Sequence, residues 1–268
     1  MKQKTLTLKQ LYKVGTVKLA EEGIEEFSLD AWYLLEYVTG VSKAMYFAEE
    51  NADRYIDCIR RRAAHIPLQH ITGEQEFMGY PFCVNEHVLI PRQDTEILVE
   101  EAIQVMRPKM KVLDMCTGSG CIVLSILKMC REKYYMTDLQ GIGADVSEEA
   151  LKVARENGRR LGVPVTWIQS DLFAKIPEEE KYDVIVSNPP YIETAVIDTL
   201  QEEVRLHDPY IALDGKEDGL YFYRRIISEA GKYLKTQGKL MFEIGCDQAE
   251  SVEELMKNAG YEQITVKK

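Results

Sequence analysis

The chain lacks the features that would tie it to a disulfide framework, a metal or a membrane. None of its six cysteines (Cys58, Cys83, Cys116, Cys121, Cys130 and Cys246) forms a CxxC pair. Its four histidines (His65, His70, His87 and His207) complete no zinc-binding spacing, so no metal is expected. The thiols read as reduced, mostly buried small side chains of a cytoplasmic protein, with Cys121 and Cys246 expected in the core. No apolar run approaches the ~20 residues needed to cross a bilayer. The opening residues MKQKTLTLKQLYKV have neither an apolar signal core nor a small-residue cleavage site. Positive charge is also short: 33 Lys and Arg face 44 Asp and Glu, a formal net charge of -11. Such a balance builds no diffuse positive field around phosphates, so no direct nucleic-acid partner is expected. The one basic run, Arg60-Arg61-Arg62, reads as a solvated helix face. With 17 Gly and 9 Pro, and no repeat or low-complexity tract, the chain is not a linker or a collagen-like polymer.

What is present is ample apolar material. In 268 residues, 46% are hydrophobic, enough for one large domain or two smaller ones. The first stretch is helical in pattern. Leu8, Leu11, Tyr12, Leu19 and Ala20 lie near a 3.6 period that Gly23 ends. Ser28 is expected to cap a second helix ending at Gly40, Ser42 opens a third segment to Ala48, and Asn51 a fourth to about His65. From Gln69 to Pro91 the chain turns repeatedly, with Gly73, Gly79-Tyr80-Pro81 and Asn85 between short β-prone runs, a hairpin signature. Beyond it, helix and strand alternate. Strands are expected at 111–115, 139–145, 165–168, 182–187, 239–244 and 261–267. Helices fall at 94–106, 121–133, 147–161, 219–234 and 247–258. That alternation predicts an α/β fold, a parallel Rossmann-like sheet with helices on both faces.

Three strand ends carry chemistry. After the first strand comes Asp114-Met115-Cys116-Thr117-Gly118-Ser119-Gly120, a turn into a helix at the ligand-binding edge of such a sheet. Gly118 and Gly120 let backbone approach a ligand closely, and the amides at the helix start favour an anion such as an amino-acid carboxylate. A dinucleotide fingerprint needs glycine at position 123, where Val123 stands, so NAD is disfavoured. Asp145 closes the second strand, where an acidic residue roughly 20 positions beyond the glycines accepts hydrogen bonds from ribose hydroxyls. Asp171 and Leu172, after the third strand, then flank an adenine. The fourth strand ends in Ser187-Asn188-Pro189-Pro190-Tyr191. Two prolines fix φ and remove N–H donors. They leave carbonyls and the Asn188 oxygen as rigid acceptors for an NH2 group.

On these residues the chain resembles the protein-(glutamine-N5) methyltransferases of peptide chain release factors (the HemK family). The resemblance runs through PLQHITGEQEFMGYPFCV (67–84), VLIPRQDTEILV (88–99), VLDMCTGSG (112–120), VSNPPYI (186–192) and EDGLYFYRRI (217–226). It implies a class I methyltransferase domain over 93–268, a β-hairpin linker over 69–92, and a helical substrate-recognition domain over 1–68. It further implies S-adenosylmethionine as cofactor and S-adenosylhomocysteine as product, held by Cys116, Thr117, Gly118, Ser119, Gly120, Asp145, Asp171, Leu172 and Asn188. Asn188, Pro189, Pro190 and Tyr191 are the implied catalytic set. Asn188 and the Pro189 carbonyl take the two amide protons of a glutamine, and Tyr191 packs on its side chain. The implied substrate is the Gly-Gly-Gln loop of bacterial class-I release factors. Gln93 stands where the family usually has proline, and Cys116 where it has glycine, a position not expected to need φ > 0. The family usually has a final strand beyond 261–268 that this sequence does not include. Arg92 reads equally as a site-facing cation and as a structural ion-pair partner. The rival readings are a DNA or RNA amino-group methyltransferase, which shares the Asn-Pro-Pro-Tyr chemistry, and a non-catalytic cofactor-binding protein, which needs no amide clamp.

Overall fold

The computed structural model describes residues 6–40, 49–50 and 52–267. The chain separates into two compact units, Met1–Gly73 with Gln201–His207, and Glu74–Leu200 with Asp208–Lys268.

The first unit is helical. The strand β1 (Leu6–Thr7) leads into α1 (Leu8–Glu21). Thr7 and Gln10 form a reciprocal capping box that satisfies two otherwise orphaned amides. Next comes α2 (Phe27–Thr39), which ends at Gly40 with φ 65°. Ser28 is not its cap: α2 starts one residue earlier, and the Ser28 hydroxyl pairs with the Tyr12 hydroxyl at 2.7 Å. β2 (Glu49–Glu50) pairs antiparallel with β1. α3 (Ala52–Ala63) and α4 (Leu68–Thr72) follow. The segment expected from Ser42 to Ala48, and Asn51 itself, lie outside the described residues. Leu11, Leu19, Leu34, Leu35, Tyr55 and Ile59 form the core of this unit. Arg62 departs from expectation. It is buried, with Nε 2.5 Å from Asp30 and Nη2 2.8 Å from Glu203. A guanidinium tolerates burial only with such acceptors, so this arginine is a structural lock and not part of a solvated face.

The second unit opens with a hairpin, β3 (Glu74–Phe77) and β4 (Tyr80–Cys83). Its two-residue turn has Met78 and Gly79 at positive φ, the geometry that matches strand twist. The hairpin is shorter than expected, because 68–72 is helical. The main elements are then α5 (Thr95–Val105), β5 (Lys111–Met115), α6 (Cys121–Tyr134), β6 (Gln140–Asp145), α7 (Glu148–Leu161), β7 (Thr166–Gln169) and β8 (Tyr182–Ser187). Three short helices follow, α8 (Thr194–Ile197), α9 (Glu202–His207, part of the first unit) and α10 (Tyr210–Leu213). The unit closes with α11 (Tyr221–Ala230), β9 (Leu234–Phe242) and α12 (Ala249–Asn258). Ser147 caps α7 as expected, accepting from the Ala150 amide at 3.1 Å.

The sheet is five-stranded and parallel, in the order β7-β6-β5-β8-β9. Alternate residues of the central strands face opposite cores. Val112, Val184 and Val186 meet Leu98, Val99, Ile122 and Ile126 of α5 and α6. Leu113, Met115 and Ile185 meet Phe173, Ile226 and Tyr233. Two ends differ from expectation. The helix expected to reach 234 stops at Ala230, because the Tyr182 amide binds the Tyr233 carbonyl at 2.8 Å and draws the chain into the sheet. Residues 261–267 form no strand. The Tyr261 hydroxyl binds the Ile227 carbonyl of α11 at 3.1 Å and Lys267 pairs with Glu101 of α5 at 3.7 Å, so the segment is tied to helices at its two ends instead of pairing with β9. Cys246 is exposed and not in the core. Among the described residues, no helix is long and apolar enough to cross a membrane.

Candidate active site

The carboxyl edge of the sheet gathers the residues picked out above. β5 ends at Met115, and the chain turns into α6 through three positive φ angles, Cys116 (59°), Gly118 (54°) and Gly120 (79°). Gly120 has a second reason to be glycine: a Cβ there would stand 2.8 Å from Trp167. Cys116 does occupy the left-handed region, contrary to expectation, so the thiol side chain sits on a backbone glycine would adopt more cheaply. Burial pushes that thiol well above the ordinary range, so it is no thiolate nucleophile. Beneath the loop, Asp114 is fully buried. Its Oδ2 accepts from the Thr117 hydroxyl at 2.6 Å and the Val123 amide at 3.3 Å. Burial outweighs these bonds and pushes its carboxyl up to about 7.

β6 ends at Asp145, in register with Gln169 of β7. Its two oxygens accept from the Gly118 and Ser147 amides, each at 2.9 Å. Asp145 thus ties the glycine loop to the start of α7 and keeps further lone pairs for a ligand. Burial raises its pKa against those backbone bonds. Asp171 is exposed and pairs with Arg225 at 2.9 Å, while Leu172 is buried with φ 47°.

β8 ends at Ser187, whose hydroxyl binds the Met115 carbonyl at 2.6 Å and pins the ends of β5 and β8 together. Asn188 follows, its Nδ2 3.5 Å from the Thr95 hydroxyl. Pro189 and Pro190 are buried. The Tyr191 carbonyl accepts from Gln248 at 3.0 Å, and burial pushes the Tyr191 phenol up to about 12. Gly215 and Gly219 pack so closely that a Cβ on either would come within 2.7 Å of Tyr191 backbone atoms. Arg92 is an ion-pair partner, 2.9 Å from Asp208.

The sequence reading missed Thr95 and Glu243. Thr95 opens α5 and is buried. Glu243 follows β9; its amide binds the Ser187 carbonyl at 3.0 Å, and its carbonyl accepts from Tyr223 at 2.9 Å. Its carboxylate faces Thr95, Asn188 and Tyr191, and no partner meets hydrogen-bond geometry at the buried Oε2. The available signal was FEIG, an acidic residue closing an apolar strand that runs parallel to the Asn188 strand.

This donor set fits S-adenosylmethionine. Nothing lies within 4 Å of where a Gly118 Cβ would point, so a ligand can approach that backbone. Asp145 and Asp171 stand at neighbouring strand ends, as a ribose and a base require. A parallel sheet with this loop and an Asn-Pro-Pro-Tyr edge defines an S-adenosylmethionine-dependent methyltransferase of class I. Residues 93–205 match the family model described as "Methyltransferase small domain", and 10–73 that described as "PrmC N-terminal domain". The release factor glutamine methyltransferase of Geobacter sulfurreducens is 40% identical over 250 residues, 91% of this chain and 86% of that protein. The enzyme of the same name from Clostridium acetobutylicum is 40% identical over 262 residues, 93% and 90% of the two chains. The chain belongs to the release factor glutamine methyltransferase family. Among solved structures, the catalytic domain of hMettl16 in complex with a MAT2A 3′UTR hairpin superposes with a TM-score of 0.52. It is 17% identical and covers 78% of this chain and 76% of its own, a likeness of fold alone.

Proposed function

We propose that this protein transfers a methyl group from S-adenosylmethionine to the side-chain amide nitrogen of the glutamine in the Gly-Gly-Gln motif of bacterial class-I release factors. The observation that carries the reading is Asn188-Pro189-Pro190-Tyr191 closing β8 beside the glycine loop of β5. A carboxamide nitrogen is a poor nucleophile because its lone pair is delocalised, so the protein's work is positioning. Asn188 Oδ1 and the Pro189 carbonyl accept the two amide protons and turn the nitrogen toward the methyl donor, while Tyr191 packs on the glutamine side chain. Orientation of this kind supplies on the order of 7–11 kcal/mol in favourable cases. The same acceptors stabilise positive charge growing on nitrogen. The cofactor, held by residues 116–120, Asp145, Asp171, Leu172 and Asn188, supplies the activated methyl group. The helical residues 1–68 serve as the substrate reader.

The test incubates the protein with tritiated S-adenosylmethionine and a class-I release factor, either wild type or with the Gly-Gly-Gln glutamine changed to alanine. Label enters only the wild-type factor, and Asn188→Ala enzyme transfers none. Label on DNA or RNA, with none on the release factor, would overturn the reading in favour of a nucleic-acid amino methyltransferase.

A further inference from the structure

The side chain of Asn188 has two ends of nearly equal shape, a carbonyl oxygen and an amino group. Only one orientation presents an acceptor to a substrate NH2. Thr95 cannot choose between them, since a hydroxyl donates or accepts as its surroundings demand. Glu243 can choose, because an ionised carboxylate only accepts. Facing Glu243 are the Thr95 hydroxyl, the Asn188 amide and the Tyr191 hydroxyl. The Thr95 proton is drawn to Glu243, which leaves Thr95 Oγ1 as an acceptor for Asn188 Nδ2, 3.5 Å away. The Asn188 amino group is then held by Thr95 with the Glu243 carboxylate beside it, and Oδ1 is its free end. Backbone geometry supports the arrangement: Phe242 is in register with Ser187, and the Glu243 amide binds the Ser187 carbonyl at 3.0 Å.

We propose that Glu243 is a positioning residue whose carboxylate, acting through Thr95 and directly on Asn188, fixes the orientation of the Asn188 amide that the methyl transfer requires. The inference rests on the amide-clamp reading of Asn188. Protonated Glu243 becomes a donor able to bind Asn188 Oδ1, so turnover needs the ionised form. Burial raises the Glu243 pKa, with Asp94 adding repulsion and Thr95, Asn188 and Tyr191 opposing. The other titratable groups around it are Cys121 of α6 and Tyr223 of α11, both shifted upward and neutral near pH 7. The acid limb of turnover therefore lies above the ordinary glutamate range.

The experiment measures kcat against pH with a release factor as substrate for wild type, Glu243→Gln, Thr95→Val and Asn188→Ala. S-adenosylhomocysteine affinity and thermal unfolding are measured alongside. Glu243→Gln lowers kcat about 100-fold, the loss expected of a misplaced reacting group. It also abolishes the acid limb and leaves S-adenosylhomocysteine binding unchanged. Thr95→Val lowers kcat in the same direction without changing S-adenosylhomocysteine affinity, and carries the test should Glu243→Gln not fold. A Glu243→Gln enzyme with wild-type kcat and a wild-type acid limb, beside an inactive Asn188→Ala, overturns the role of Glu243 alone. An active Asn188→Ala overturns the clamp reading beneath it.

Discussion

Asp114 holds a carboxyl where a residue of its class is costly to ionise, under a loop whose shape depends on it. Its folded-state pKa of about 7 stands above the ordinary 3.8. The folded chain therefore keeps this proton after the unfolded chain has released it. The group's contribution is fully present below the ordinary value, falls as pH rises, and is gone above about 7. Asp114→Asn removes that slope, so its urea midpoint changes less than that of wild type between about pH 5 and pH 7. An equal slope in both proteins would exclude Asp114 as its source. At Cys116 the strain is conformational. A left-handed L-residue costs about 1–2 kcal/mol, and glycine returns about 0.5–1 of that as unfolded-state entropy. Cys116→Gly should raise stability by about 0.5–1 kcal/mol, as read by chemical denaturation. The sequence marked position 116 as a departure from glycine but carried no sign of its φ, because torsion is set by the turn between β5 and α6.

Helices of the first unit are held by two contacts that periodicity does not display. Gly15 lies in α1 where a Cβ would stand 2.0 Å from the Tyr55 hydroxyl of α3. Alanine at a helical site ordinarily gains about 1 kcal/mol over glycine. Here it displaces a rigid ring that itself binds the Ala31 carbonyl. Overpacking of about 1–3 kcal/mol wins, and Gly15→Ala lowers the midpoint of unfolding. A stabilised Gly15→Ala protein would mean that α1 and α3 do not pack this closely. Arg62 is the second contact. Its partner Asp30 is buried, so Arg62→Ala strands a carboxylate, a change worth about 3–5 kcal/mol. Replacing Arg62 and Asp30 together by apolar residues should recover part of that loss. The run of three arginines looked like a solvated face because charge runs usually are one. Only the packing of α2 and Glu202–His207 around position 62 distinguishes this arginine from its neighbours.

At the scale of the molecule, each unit has its own apolar core, and each has one of the chain's two tryptophans, Trp32 and Trp167. Single-tryptophan variants with phenylalanine at the other position therefore report the units separately. In the Arg62→Ala background, the Trp32 transition should move to lower denaturant while the Trp167 transition stays in place. Transitions that move together would show the two units unfolding as one. The sheet ends at β9 among the described residues, since 261–267 form no strand.

Local pattern located most of the sheet and its flanking helices in the second unit, though not the end of α11 or the fate of 261–267. Short apolar runs alternating with helical stretches located β5, β6 and β8, and Ser147 marked the start of α7, because these signals are carried by neighbouring residues. The glycine loop, Asp145 and Asn188-Pro189-Pro190-Tyr191 were legible for the same reason: each closes a strand whose end is visible in sequence. Tertiary structure decided what joins across distance. Thr95 and Glu243 are 148 positions apart by their numbers, and only the register of β8 with β9 and the packing of α5 bring both to Asn188. Their side chains carry no local mark of that meeting. A hydrogen-bond network takes its donor and acceptor sense from its members together, and those members meet only when the sheet forms.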